Sequence, residues 1–248
     1  MSGSPLYAML SALAIVVSAI VWSRLLGRQS ATRDGRLALV FIATLLGAFV
    51  GAKLAFLAAE GWNAREDLVA LLTGRSVTGA LIGGTLAAEF VKSRLGVVTA
   101  TGDAFAITVP LAVAIGRIGC ISAGCCQGVE CDPSWWTVVD GHGHARVPSA
   151  PLELGFNAVF LAWAFVAAAR GWMPTQRFNI YLIAYGLFRF VHEYWRDDHR
   201  WLDGFGGYHA AALLLVILGL AMFRRRKALA ASRPQQPIPA RNEVPAGG

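Results

Sequence analysis

The chain has 248 residues, of which 56% are hydrophobic and 15% charged, with a mean hydropathy of +0.52 and a formal net charge of +7. That balance is too apolar and too sparsely charged for a water-soluble globular domain, and it indicates an all-α fold, a polytopic membrane helix bundle. The cationic excess calls for no nucleic-acid partner, because most of it lies between apolar runs and in the tail, where anionic membrane lipids can meet it.

Apolar runs close to the roughly 20 residues that a bilayer core requires occur at 6–23, 37–59, 76–91, 101–119, 151–169, 178–195 and 208–223. Seven transmembrane helices are therefore expected. Two of the runs are weak: 76–91 is short and contains Glu89, while 101–119 contains Asp103 and Pro110. The first run is not preceded by Lys or Arg and is followed by four arginines, which favours a retained span over a signal peptide. Residues 1–223 are expected to form one transmembrane domain with an outer-face cap loop at 120–150. The basic, then Pro- and Ala-rich stretch 224–248 reads as a disordered cytoplasmic tail.

Fourteen Lys and Arg residues fall in alternate connections and the tail, among them Arg24, Arg28, Arg33, Arg36, Lys92, Arg94, Arg170, Arg177 and Arg224–Arg226. The other connections hold five: Arg65, Arg75, Arg146, Arg196 and Arg200. The positive-inside rule then places the N-terminus outside and the C-terminus in the cytoplasm.

Within this frame the ionisable residues in or beside the spans ask for partners. Residues 116–119 read Gly-Arg-Ile-Gly at the end of an apolar run, and a guanidinium costs about 2.5–3.5 kcal/mol at a membrane helix centre. Arg117 therefore needs an anion, either Glu153 or a ligand. In the sixth span Arg189, Glu193 and Arg196 are spaced i, i+4, i+7, and Tyr185 lies one turn earlier, so a continuous helix puts them on one stripe. Two cations and one anion leave a positive surplus suited to a phosphate, which a planar guanidinium can hold with two hydrogen bonds. In a membrane this suggests a lipid headgroup. The plainer reading is that Arg189 and Glu193 pair structurally while Arg196 snorkels to the headgroups.

The loop 120–150 holds all four cysteines, Cys120, Cys125, Cys126 and Cys131, with Trp135, Trp136, His142 and His144. On the outer face disulfides persist, so one or two are expected among these four, with three pairings open. The spacing lacks the usual Cys-x2-Cys knuckle and no metal is expected. A thiol-redox function, or a zinc or copper(I) site that includes the histidines, is the alternative. Gly79, Gly83, Gly84, Ala87 and Ala88 give the third span a smooth face for helix packing.

Three blocks together resemble the prolipoprotein diacylglyceryl transferase family. They are Gly116-Arg117-Ile118-Gly119 with Gly124 and Gly128; Arg146, Pro148, Ser149 and Glu153; and Tyr185-Gly186-Leu187-Phe188-Arg189-Phe190 with Glu193 and Arg196. The resemblance implies a multi-pass enzyme of the bacterial inner membrane that moves diacylglyceryl from phosphatidylglycerol to the cysteine thiol of a lipoprotein-precursor peptide, with no cofactor. It places Arg117, Arg189 and Glu193 in the catalytic role, and Gly116, Gly119, Arg146, Glu153, Tyr185, Arg196 and Thr78 in substrate binding. The chain departs from the family pattern at Cys120, Ala123 and Cys125, at Val147, Ala150 and Leu152, and at Thr78, which replaces a histidine. His192 is the nearest alternative base. A non-catalytic relative that binds anionic phospholipid is the other reading.

Overall fold

The computed structural model describes residues 5–27, 35–61, 63–98, 101–202 and 204–231. All seven apolar runs are long helices: α1 (Pro5–Gly27), α2 (Gly35–Ala59), α4 (Val77–Leu95), α5 (Gly102–Ser122), α6 (Ser149–Ala169), α7 (Arg177–His192) and α8 (Gly207–Ala231). A short α3 (Leu68–Thr73) lies in the connection between α2 and α4. A two-stranded antiparallel hairpin, β1 (Val138–Val139) and β2 (Ala145–Arg146), lies between α5 and α6. Helices dominate because backbone polar groups in hydrocarbon must be satisfied within the segment.

Five of these helices, α1, α2, α5, α6 and α8, are long and apolar enough to cross a membrane on their own account. The 101–119 run, weak in sequence, is among them; its helix passes through Pro110 without ending. The two exceptions have physical reasons. Helix α4 carries Glu89, Lys92 and Arg94 near its end, and α7 has 16 residues.

Helices α2 and α4 make the closest seam. A Cβ added at Gly51 would stand 2.4 Å from the Gly79 carbonyl oxygen, and one at Gly83 would stand 2.3 Å from that of Gly47. Two Gly-x3-Gly steps thus face each other, and backbone packs on backbone. An aromatic and aliphatic core lies beside this seam, where Trp22 of α1, Phe105 of α5, Phe178, Tyr181 and Leu182 of α7 and Leu215 of α8 are buried together.

The bundle has two unlike ends. At one, Asp103 accepts from Arg177 at 3.0 Å and from the Thr175 N–H at 2.9 Å, and Glu89 pairs with Lys92 and Arg226. At the other, the connection between α5 and α6 folds back as a cap. Its segment 128–130 bridges to Arg196 and Arg146, and Glu60, just past α2, accepts from the His199 N–H.

Two expectations are corrected here. The tail does not begin disordered: α8 continues to Ala231, so Arg224–Lys227 are helical, while 232–248 lie outside the described residues. The stripe in the sixth span is not one continuous α-helix. Helix α7 stops at His192, Glu193–Trp195 tighten into a 3-10 turn, and Arg196 is extended and bridged to Gly128 of the cap. The tighter winding of a 3-10 turn puts residues three apart above one another, so Arg196 still lies 4.0 Å from Glu193. His209, near the start of α8, is buried among Phe190, Tyr194 and Phe205 and accepts the Gly206 N–H.

Candidate active site

The polar residues gather where the cap meets the ends of α5, α6 and α7. Glu153, one turn into α6, is fully buried and 2.8 Å from Arg117, which reaches it from the last turns of α5. The Tyr185 hydroxyl, on α7, donates to the same carboxylate at 2.7 Å. One turn along α6, Asn157 donates to the Glu153 carbonyl at 2.8 Å and accepts from Tyr181 at 2.8 Å. Three helices are thus tied through one carboxylate. A buried charge of this kind is tolerable only when paired and hydrogen-bonded.

Arg189, one turn beyond Tyr185, stands 2.7 Å from Glu193. Its Nη1 also lies 3.1 Å from Nδ1 of the buried His192, whose Nε2 lies 3.1 Å from Ser149 Oγ. A guanidinium can only donate, so Nδ1 is the acceptor; in the neutral ring the proton is on Nε2, and Ser149 accepts it. The lone pair that a base would use is therefore engaged by Arg189. His192 is a positioning residue for Arg189 rather than the base proposed from sequence.

The arginines are more fully paired than the sequence pattern suggests. Arg196 binds Asp198 at 2.6 Å, and Arg146 binds Asp140 at 2.5 Å and Asp197 at 3.3 Å. Asp197 and Asp198 are thus counterions. Arg146, with the N–H groups of His144 and His142, holds the Asp140 carboxyl well below the usual carboxylate range. The positive surplus on the sixth span is correspondingly corrected: each of these arginines has a carboxylate partner. What stays available is donor capacity, since a guanidinium carries five N–H bonds. Arg196 Nη1 is shielded from solvent and has no hydrogen-bond partner among the described residues. Arg117, Arg189 and Arg196 all lie within electrostatic reach of Glu153, which brings three guanidinium groups into one neighbourhood.

The cysteines divide. Cys120, Cys125 and Cys126 gather with their sulfurs all within 4.8 Å of one another, while Cys131 lies in the cap, its N–H donating to the Ala145 carbonyl. All four are free thiols. Arg117 Nη1 is 3.6 Å from Cys120 Sγ. The sulfurs of Cys120 and Cys125 hydrogen-bond to that of Cys126, which also lies in the field of Arg117 and Arg196; together these hold the Cys126 thiol below the ordinary cysteine range. His144 sits 3.8 Å from Glu130, and neither histidine of the cap joins the sulfurs.

Of the sequence-derived site residues, Arg117, Glu153, Tyr185, Arg189, Glu193 and Arg196 fall in this one polar region, and Arg146 lies at its rim in the cap. Thr78 is buried at the start of α4 with its hydroxyl unpartnered among the described residues, and no hydrogen bond links it to the arginines. Gly119 is buried, whereas a Cβ at Gly116 would meet nothing within 4 Å, so the structure places no crowding demand there. Sequence reasoning missed Asn157, Tyr181 and Asp198 as members of the network, and it placed Ser149 in a motif without giving it a role. Asn157 carried a readable signal: it lies i+4 from Glu153 and is polar in an otherwise apolar run.

A bundle of this kind, with five helices able to cross a bilayer and buried, paired charge at both ends, is a multi-pass membrane protein. Residues 5–225 match the sequence profile of the prolipoprotein diacylglyceryl transferases, and the chain belongs to that family. Among its relatives is phosphatidylglycerol–prolipoprotein diacylglyceryl transferase 2 of Clostridium perfringens, 27% identical over 70% of this chain and 72% of that protein. The Rhodospirillum rubrum phosphatidylglycerol–prolipoprotein diacylglyceryl transferase is 28% identical over 84% of each chain, and that of Bordetella parapertussis 31% over 62% of each.

Proposed function

We propose that this chain is a lipid transferase of lipoprotein biosynthesis, taking diacylglyceryl from phosphatidylglycerol and placing it on the cysteine thiol of a lipoprotein precursor. The observation that carries this reading is the buried polar junction of α5, α6 and α7, where Arg117 pairs with Glu153, Arg189 and Arg196 lie within its electrostatic reach, and Arg196 keeps a shielded donor without a partner among the described residues.

The chemistry asks for such a site. The thiol sulfur bonds to the terminal glyceryl carbon of the lipid as that carbon's bond to the phosphate oxygen breaks, and glycerol phosphate leaves. Charge builds on the departing phosphate, so donors fixed in advance around it lower the barrier. Arg196 supplies the free donor, and Arg117 and Arg189 contribute further N–H groups while their carboxylates keep them oriented. The thiol proton ends on the released phosphate monoester, whose second pKa is about 6; this requires no dedicated base and agrees with His192 being engaged by Arg189. Glu153 and Tyr185 position Arg117 and do not touch the lipid themselves.

The cap face is assigned to the outside of the bacterial inner membrane, with the N-terminus also outside. The basic helix end of α8 and the Arg170–Arg177 connection then lie in the cytoplasm, as the positive-inside rule requires. Exposed Trp135, Trp136, Trp195 and Trp201 on the cap side suit an aromatic belt at headgroup depth.

Purified protein supplied with labelled phosphatidylglycerol and a precursor peptide carrying a single cysteine should form a thioether-linked product. Lipid that is bound but not transferred, with the fold intact, would support the non-catalytic alternative.

A further inference from the structure

The three-sulfur cluster lies beside the arginine network and has no part in the transfer step proposed above. It is built by the way α5 ends. The Gly124 N–H bonds to the Ile121 carbonyl and the Cys125 N–H to the Cys120 carbonyl, with Gly124 in the left-handed region at φ +62°. This is the paired termination in which the residue after the glycine folds back over the helix position five before it, where an apolar contact usually forms. Here both contacting positions are cysteine. The next residue, Cys126, is itself left-handed at φ +59°, a conformation uncommon for a side chain with a Cβ, and its sulfur completes the triangle. The cluster borders a cavity of about 190 Å³ lined in part by Val138, Pro148 and Ala150.

We propose that Cys120, Cys125 and Cys126 form a trigonal thiolate site for one soft d10 metal ion, copper(I). An ion about 2.3 Å from three coplanar sulfurs, the metal–thiolate distance usual for zinc, sets the sulfurs about 4 Å apart. The observed limit of 4.8 Å thus needs a contraction of under roughly 1 Å. A disulfide would use two of the sulfurs and leave one over, whereas a three-coordinate ion uses all of them. The donor set is soft throughout, with no imidazole or carboxylate in the group, which favours copper(I) over harder ions. Zinc in a structural site takes four protein ligands, and the cluster supplies three. Loading exchanges three thiol protons for one monovalent cation and leaves a net charge of −2, and Arg117, 3.6 Å from Cys120 Sγ, stands ready as the outer-shell counter-charge.

The test uses the full chain in detergent micelles, prepared anaerobically with reduced thiols, loaded with copper(I) and washed with a copper(I) chelator. One copper per chain should remain, and X-ray absorption on the wild-type protein should show three sulfur neighbours near about 2.3 Å. Cys125→Ser and Cys126→Ser should each lower retained copper at least tenfold, while Cys131→Ser leaves it unchanged. The proposal fails if copper is lost to the chelator from the wild-type protein, if the absorption spectrum shows two sulfurs, if Cys131→Ser loses as much as Cys125→Ser, or if the protein keeps stoichiometric zinc while releasing copper. Because the spectrum is read on unaltered protein, a variant that fails to fold does not shield the proposal.

Discussion

The seam between α2 and α4 and the junction of α5, α6 and α7 are both buried helix contacts, and they are built on opposite terms. The first joins Gly47 and Gly51 to Gly79 and Gly83 at backbone-to-backbone distance. The second is held by Arg117, Glu153, Tyr185, Asn157 and Tyr181, a chain of buried polar groups in which each member satisfies another. Lipid tails are as apolar as leucine, so a helix pair can associate through shape alone when small residues let the backbones approach. Charges there are costly and persist where they pair or act on a ligand. The glycine seam is scaffold, and the polar junction is where the proposed chemistry is placed.

Breaking the junction should give the largest effect. Arg117→Ala leaves Glu153 buried without its cation and removes donors from the developing phosphate charge; product formation should fall by about 10²–10³-fold or more, measured with labelled phosphatidylglycerol on protein that still inserts. Arg189→Ala should act in the same direction. Normal turnover in both variants would detach the arginines from catalysis.

Attacking the seam should spare chemistry and cost stability. Gly83→Leu puts side-chain carbon against the Gly47 carbonyl, beyond the usual 1–3 kcal/mol or so for overpacking because backbone must move. Thermal unfolding in micelles should shift downward markedly, while surviving protein keeps its turnover per folded molecule. An unchanged melting curve would mean that the seam is looser than its geometry.

Tyr185→Phe sharpens the contrast within the junction. It removes one donor from Glu153 and keeps the ring, a loss of about 1–3 kcal/mol for an acceptor left short, or roughly 5- to 150-fold if all of it appears in the rate. A full-rate Tyr185→Phe enzyme would show that Arg117 alone orients the carboxylate.

Asp140→Asn, at the rim, should have the smallest effect. It weakens the tie to Arg146 in the cap hairpin, and faster amide exchange across 138–146 is the expected readout, with turnover little changed. Because Asp140 titrates below its ordinary value of about 3.9, the wild-type tie is fully present above that pH and is lost only as the pH falls through the lower folded value. The Asn variant should lack this acid transition.

Much of this was legible beforehand. Seven apolar runs gave seven long helices, and Glu153, 36 residues from Arg117, is one of the two partners open to an arginine that needs a countercharge in hydrocarbon. The stripe of Arg189, Glu193 and Arg196 was read with helical periodicity, and periodicity carries no notice that α7 would tighten after His192 and hand Arg196 to the cap. The arginine pairings of Asp198 and Asp140 leave no periodic signal, because their partners come from a turn or a hairpin and not from a shared helix face.

The sequence by itself determined the medium, the number of long helices and the residues too costly to leave unpartnered, since these follow from hydropathy, span length and the expense of burying charge. Only the tertiary structure decided who pairs with whom: that Arg189 engages His192 and removes it as a base, that Arg196 keeps a donor without a partner among the described residues, and that three of the four cysteines meet. Those outcomes depend on where helices end and how the cap folds back, which are contacts between segments and leave no periodic trace in either one.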